Sequence, residues 1–298
     1  MTAAAKDMEA AKRRTGFEAL DKAQVFAPGI YIIGAPPSAG KSTFCLQLAN
    51  KMADQGEEVL FLSYEMSVQA LCRKLISRKL FEKKKSGEDV TKLAAVDIRR
   101  AGTGNDDVNA VVTELADSLN HLRLWNVGWE SSTLVKELRS FASSLERPPV
   151  IFVDYLQMIQ DSKAATPRER IDSLLSALRE FQNDTDATIF LVSAFNRANN
   201  QQSETSFSSF KESGAIEYAA DCLWALEPAI QNGESVAEAD KRERKNKVRA
   251  MRLRCLKNRE GSLYACYFRY YAEFDTFEEA TEETVFKEAE QQTRRYSK

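Results

Sequence analysis

The stretch Tyr31-Ile-Ile-Gly-Ala-Pro-Pro-Ser-Ala-Gly-Lys-Ser-Thr43 constrains this chain more than any other. Apolar residues 30–33 read as a buried strand. A tight loop follows, and Gly40-Lys41-Ser42 opens an amphipathic helix. A strand, a turn and a helix start in that order form the setting in which G-x-x-x-x-G-K-[ST] cradles phosphate. The helix start offers unpaired backbone N–H groups and the positive end of the dipole, so an anion sits there readily. In such a loop Lys41 reaches the β- and γ-phosphates, and the Ser42 hydroxyl binds Mg²⁺. The nucleotide-binding set is then Ala35, Pro36, Pro37, Ser38, Ala39, Gly40, Lys41, Ser42 and Thr43. One position departs from the pattern. The first glycine falls at Ala35, with Gly34 one place early, while Pro36 and Pro37 stiffen the loop.

The rest of the chain supplies a sheet for such a loop. Nearly continuous apolar runs at 29–34, 58–63, 150–154 and 188–193 read as strands buried on both faces. Residues 122–125 read as a short additional strand. Between them Phe44, Leu48 and Met52 share one helical face, Leu71 and Leu75 another, and Ile171, Leu174, Leu175 and Leu178 a third. Strands alternating with helices predict an α/β fold with a mostly parallel sheet. Further on, 251–256 and 263–271 read as a hairpin, with Gly261 giving its turn conformational freedom. A polar loop is expected over 229–247. The expected domains are an N-terminal arm or linker helix over 1–14, one catalytic domain over 15–277, and a charged helical tail over 278–298.

Composition excludes several function classes. The chain has 298 residues and a formal net charge of -2, so no bulk basic field advertises nucleic acid. A ring with a few contacts per subunit in a central channel stays compatible. Cys45, Cys72, Cys222, Cys255 and Cys266 show no C-x-x-C spacing, which suits small buried residues in a reducing cytoplasm. A single histidine, His121, rules out a multi-histidine metal site and reads as a surface loop residue. No signal peptide or long apolar span is visible, so the expected location is cytoplasmic, without a membrane.

A phosphate loop needs a second acidic anchor on a neighbouring strand. Pro149-Val-Ile-Phe-Val-Asp154 supplies it: an apolar strand that ends in a carboxylate able to support Mg²⁺. Hydrolysis also needs a group to orient or deprotonate water, and ligands gather at the carboxyl ends of parallel strands. Glu65 directly follows the second strand and is the candidate base.

Together these segments resemble a family. Ala35 to Ser42, Ser63-Tyr-Glu-Met66, Asp154-Tyr-Leu-Gln157, Glu212-Ser-Gly-Ala-Ile-Glu217 with Asp221, and Lys257-Asn-Arg259 stand in the order and spacing of the DnaB-type replicative helicase motor, a RecA-like ATPase domain. The alanine at the first P-loop position is shared with it, and Thr15-Gly-Phe-Glu-Ala-Leu-Asp21 looks like its entry segment. The resemblance spans about 15–277. It implies a RecA-like P-loop NTPase using ATP and Mg²⁺. Lys41, Glu65 and Asp154 would act in catalysis, with Arg259 as an arginine finger and Lys257 beside it, both inserted into a neighbouring subunit. It also implies a homo-oligomer, a hexameric ring, that hydrolyses ATP at subunit interfaces and moves 5′ to 3′ on single-stranded DNA in replication. A replication initiator or primase would be a further partner. Lys211, Glu212, Ser213 and Gly214 match the segment that contacts DNA phosphates, with Lys211 where the family usually has Arg. A lysine pairs with a phosphate only as a point charge.

Two departures from the family stand out. Its fourth core strand ends in Ser-Gln, and that Gln senses the γ-phosphate; here the pair is Ser193-Ala194, with Asn196 and Arg197 following. Before Thr15 this sequence has a short arm where the family carries a helical domain that docks primase. These departures keep a second reading open, a helicase-like ATPase without unwinding activity: a loader, a partner or a RecA-like recombination mediator. A metabolic P-loop kinase is a third, but it has no use for Lys257 and Arg259. The basic run Lys241-Arg-Glu-Arg-Lys-Asn-Lys247 suits either nucleic acid or a solvated loop, and charge runs favour the loop. Trp125 and Trp129 could stack bases, though anchoring within the fold is the commoner use of such rings.

Overall fold

The computed structural model describes residues 12–195, 205–210, 213–230 and 234–287. Six strands are parallel: β1 (Gly29–Ala35), β2 (Val59–Ser63), β3 (Leu122–Asn126), β4 (Val150–Asp154), β5 (Thr188–Ala194) and β6 (Cys222–Pro228). Three more, β7 (Val248–Asn258), β8 (Ala265–Tyr271) and β9 (Thr276–Ala280), continue the sheet antiparallel. The order across the sheet is β3-β2-β4-β5-β1-β6-β7-β8-β9.

Helices cover both faces. They are α1 (Glu18–Ala23), α2 (Lys41–Ala53), α3 (Val68–Lys85), α4 (Ala95–Ala101), α5 (Asp106–Ser118), α6 (Ser131–Ser143), α7 (Pro167–Thr185), α8 (Ser213–Ala219) and α9 (Val236–Glu243). Every residue of β1, β2 and β4 is buried, which is why their sequences are almost wholly apolar. On one face Phe44, Leu48 and Met52 of α2 pack with Phe61, Phe152, Phe190 and Trp224. The Phe152 and Phe190 rings stack at 4.6 Å. On the other face Leu134 and Leu138 of α6 and Leu174 and Leu178 of α7 cover Ile30, Ile32, Leu60 and Ile151. Each such side chain contributes roughly 1.5–3 kcal/mol by leaving water. The layers hold the carboxyl ends of β1, β2, β4 and β5 in one row, where the phosphate loop lies.

The α/β class and the mostly parallel sheet agree with the sequence reading, and β3 is a real edge strand. Several expectations need correction. The strand β6 was not anticipated, because its run ends in Glu227 and Pro228. The C-terminal hairpin is present as β7 and β8, but β9 adds a third strand across the boundary expected at 277. Residues 282–287 are helical; the rest of the expected tail lies outside the described residues. The loop expected over 229–247 contains α9, started by a capping box between Ser235 and Glu238. Gly261, expected to give the turn its freedom, has no positive φ; a Cβ there would lie 2.9 Å from Asn258 Nδ2. At the N-terminal end, Arg13 is no mobile arm. It is buried, bridges Phe26 through the backbone, and pairs with Glu57. His121 precedes β3 and is half-exposed, with its Nδ1 2.8 Å from Glu58 Oε1.

Candidate nucleotide-binding site

The loop between β1 and α2 turns on two positive φ angles, 64° at Ser38 and 88° at Gly40. Gly40 is required twice over. Its φ suits glycine, and a Cβ would lie 2.8 Å from Tyr270 and 2.9 Å from Phe277. The early glycine, Gly34, serves a different purpose. It lies inside β1, and a side chain there would run into the rings of Phe195 and Phe210, which meet edge to face at 5.0 Å. Gly34 therefore makes room for the aromatic pair that joins the end of β5 to Phe210. The phosphate loop itself keeps Ala35, which is buried.

The end of α9 and strand β7 brace this loop from outside. Arg244 Nη2 donates to Pro37 O at 2.5 Å, and Arg249 Nη1 donates to Ser38 O at 3.0 Å. Arg249 also lies over the Tyr270 ring. The basic run is thus partly structural: Arg242 pairs with Glu234 and Glu243, and Arg244 with Asp240. Thr43 turns inward, where its hydroxyl donates to Asp275 Oδ1 at 3.2 Å and accepts from Lys74. Trp125 and Trp129 pack edge to face against each other, with Phe141 behind.

Lys41, Ser42 and Glu65 line one cavity of about 380 Å³, together with Ser38, Lys74, Arg249 and Asp275. Glu65 is exposed at the rim, two residues beyond β2. Lys41 Nζ lies 5.6 Å from the centre of the Tyr155 ring. Asp154 ends β4 in register with Ser63, fully buried. Burial pushes its carboxyl up to about 6; Ser42 and Lys41 draw it down, and Glu65 opposes them. Ser42 is near, but neither Asp154 oxygen has a hydrogen-bond partner. A buried carboxylate without protein partners suits an oxygen ligand of a cation. Among the described residues no group of three or more His, Cys, Asp or Glu could hold a metal by itself. The donors therefore fit Mg²⁺, which leans on one or two protein oxygens and the substrate's phosphates.

Gln157 had no role assigned from the sequence, though it belongs to a quoted motif. Its Nε2 donates to Ser193 Oγ at 2.8 Å, and its Oε1 accepts from Ala194 N at 3.1 Å. It thus clamps the end of β5 to the segment that follows Asp154.

Lys257 and Arg259 lie elsewhere. Asn258 pairs with Cys222 and Lys257 with Leu223, at the amino end of β6. Cys222 in turn pairs with Tyr31 near the start of β1. These cations and the phosphate loop occupy opposite edges of the sheet, separated by the length of β1, roughly 20 Å. Arg259 cannot reach the phosphate loop of its own chain. Ser213 and Gly214 open α8. Lys211, Glu212, Asn196 and Arg197 lie outside the described residues.

Comparison with known proteins bears on the family and the fold. The sequence profile of the DnaB-like helicase C terminal domain matches residues 13–279. The replicative DNA helicase DnaB of Pasteurella multocida is 30% identical over 222 residues, covering 70% of this chain and 44% of that protein. The chain spans less than half the length of the curated relatives it matches. Among solved structures, the ATPase domain of G40P superposes with a TM-score of 0.74 at 19% identity, covering 93% of this chain and 96% of that one. A DnaB-like replicative helicase studied with primase gives the same TM-score and identity, over 93% of this chain and 65% of that one. The fold is that of a RecA-like ATPase domain, and the chain belongs to the DnaB-like helicase C terminal domain family.

Proposed function

We propose that this protein is an ATP-dependent motor on single-stranded DNA, a replicative helicase of DnaB type that hydrolyses ATP between subunits of a ring. The observation that carries the reading is the division of the catalytic set. Lys41, Ser42, Glu65 and Asp154 converge on one sheet edge, while Lys257 and Arg259 sit on the opposite edge. A complete site then needs two copies of the chain.

In this reading the phosphates of ATP lie along the N-terminus of α2, where Lys41 neutralises the β- and γ-oxygens. Ser42 and Asp154 would hold Mg²⁺, which when bound supplies further neutralisation of phosphate charge. Glu65, exposed at the cavity rim, orients the attacking water and takes its proton. Arg259 from the neighbour stabilises charge on the transferring phosphoryl group, with Lys257 in support. Residues 211–214 contact DNA phosphates in the channel. A hexamer is the proposed assembly, and primase or a replication initiator the proposed partner. The cytoplasm is the proposed location; its reducing conditions suit five free cysteines.

Steady-state ATP hydrolysis with and without a single-stranded oligonucleotide tests the reading. DNA should raise the rate several-fold, Lys41→Ala should abolish hydrolysis, and a forked duplex with a 5′ tail should be unwound. Hydrolysis indifferent to DNA, without unwinding, would contradict it.

A further inference from the structure

We propose that Asp221 is the positioning residue that sets Arg259 and Lys257 for work on a neighbouring subunit's nucleotide. The inference rests on the interface reading above and adds to it a residue with no assigned role.

Asp221 lies between α8 and β6 and divides its two oxygens between a fixed frame and a half-exposed cation. One oxygen, Oδ2, accepts from Ile30 N at 2.7 Å and from Arg179 Nη2 at 2.7 Å. Those contacts tie it to the start of β1 and to α7. The approach is so close that a Cβ on Gly29 would lie 2.9 Å from Oδ2. The other oxygen, Oδ1, pairs with Arg259 Nη1 at 3.2 Å. The backbone joins in, with Arg259 N donating to Asp221 O at 3.0 Å. Asp221 is about three-quarters buried, whereas the Arg259 side chain is 51% exposed on the turn after β7. An exposed arginine on a turn has many rotamers, and losing them in the transition state costs free energy. A carboxylate anchored to β1 reduces that cost beforehand.

The end of α8 completes the cradle. Arg259 Nη2 donates to Tyr218 O at 2.9 Å. Lys257 Nζ donates to Glu217 O at 2.5 Å and Ala220 O at 2.7 Å. Arg179 Nη2 donates to Ala219 O at 2.6 Å. Four successive carbonyls at the negative end of a helix thus receive three cations. Those cations repel one another: burial, then Arg259, lowers the Lys257 ammonium, while Asp221 raises it. The Asp221 charge holds together a cluster of cations that would otherwise spread. Its carboxylate and the carbonyls 217–220 hold both cations beside Tyr218, whose side chain is among the most exposed large hydrophobics.

Complementation between inactive variants separates this role from a structural one. Asp221→Asn keeps an oxygen for Ile30 N but loses the charge. With single-stranded DNA present, kcat should fall about tenfold while KM for ATP stays within about twofold, because its own Lys41, Ser42, Glu65 and Asp154 are intact. Mixed in equal amounts with inactive Lys41→Ala, it should recover at least about fivefold over the sum of the separate rates, since the Lys41→Ala chain lends it a properly held Arg259. Arg259→Ala mixed with Lys41→Ala is the control. If the control recovers and the Asp221→Asn mixture does not, Asp221 serves only its own fold and the inference is wrong. If neither recovers, the interface reading itself falls, and this inference with it. Should Asp221→Asn fail to fold, Asp221→Glu takes its place; it must show a smaller kcat loss than Arg259→Ala, and mixed with Lys41→Ala it must reach at least the rate of the control mixture, or the inference is overturned.

Discussion

Both oxygens of the Asp154 carboxylate are buried without a hydrogen-bond partner, at the end of a strand whose other residues are apolar. Its carboxyl is raised from the ordinary 3.8 to about 6, so the folded chain holds the proton more tightly than the unfolded chain. The sign follows: this residue favours folding below the unfolded value, and the benefit is lost as pH rises through about 6. In chelator, without nucleotide, Asp154→Asn should therefore stabilise the protein at pH 8 by about 1–3 kcal/mol, with the gain shrinking toward pH 4. Urea unfolding at the two pH values checks this; a variant less stable at pH 8 would contradict it. The same substitution should abolish Mg²⁺-dependent hydrolysis. The positions of Asp154, of Glu65 and of the Lys41-Ser42 pair at or beyond strand ends were legible in the sequence, because each follows an apolar run within a local pattern. Gln157 was not, because its partners Ser193 and Ala194 lie more than thirty residues away. Nor was the use of Gly34, which depends on two rings brought in by other segments.

At the scale of elements, the parallel strands were readable because burial on both faces leaves almost no polar residue in them. The antiparallel extension was harder. The strand β6 carries Glu227, which is fully buried yet paired with Arg252 and Arg254 of β7, so its polarity is satisfied across the sheet. At the edge, β9 reads Thr-Phe-Glu-Glu-Ala, with its first two residues buried and the other three partly buried. The helix α9 hid inside a charge run that suggested a loop. These elements matter to the site because Arg244 and Arg249 hold the phosphate loop by its carbonyls. Arg244 is half-exposed, so its removal should leave stability nearly unchanged. Arg244→Ala should raise KM for ATP about threefold and leave kcat within about twofold, since a looser loop binds ground and transition states alike less well. Steady-state kinetics decide; a fall in kcat at fixed KM would assign Arg244 to the chemical step instead.

For the whole molecule, the sheet separates the two halves of the proposed catalytic set. The phosphate loop lies at the carboxyl edge, and Arg259, held by Asp221 and Tyr218 O, lies at the amino edge. The distance between the edges could not be read from the sequence, because it depends on β7 running antiparallel beside β6. No described helix is long and apolar enough to cross a membrane. A chain built this way should be a poor enzyme alone and a good one in company. The most direct measurement is ATP hydrolysis per chain, with single-stranded DNA present, across a protein dilution series in which assembly mass is recorded in parallel. Specific activity should rise by at least about tenfold as the chain passes from monomer to ring, in step with mass. Full activity per chain at the mass of a monomer would contradict it.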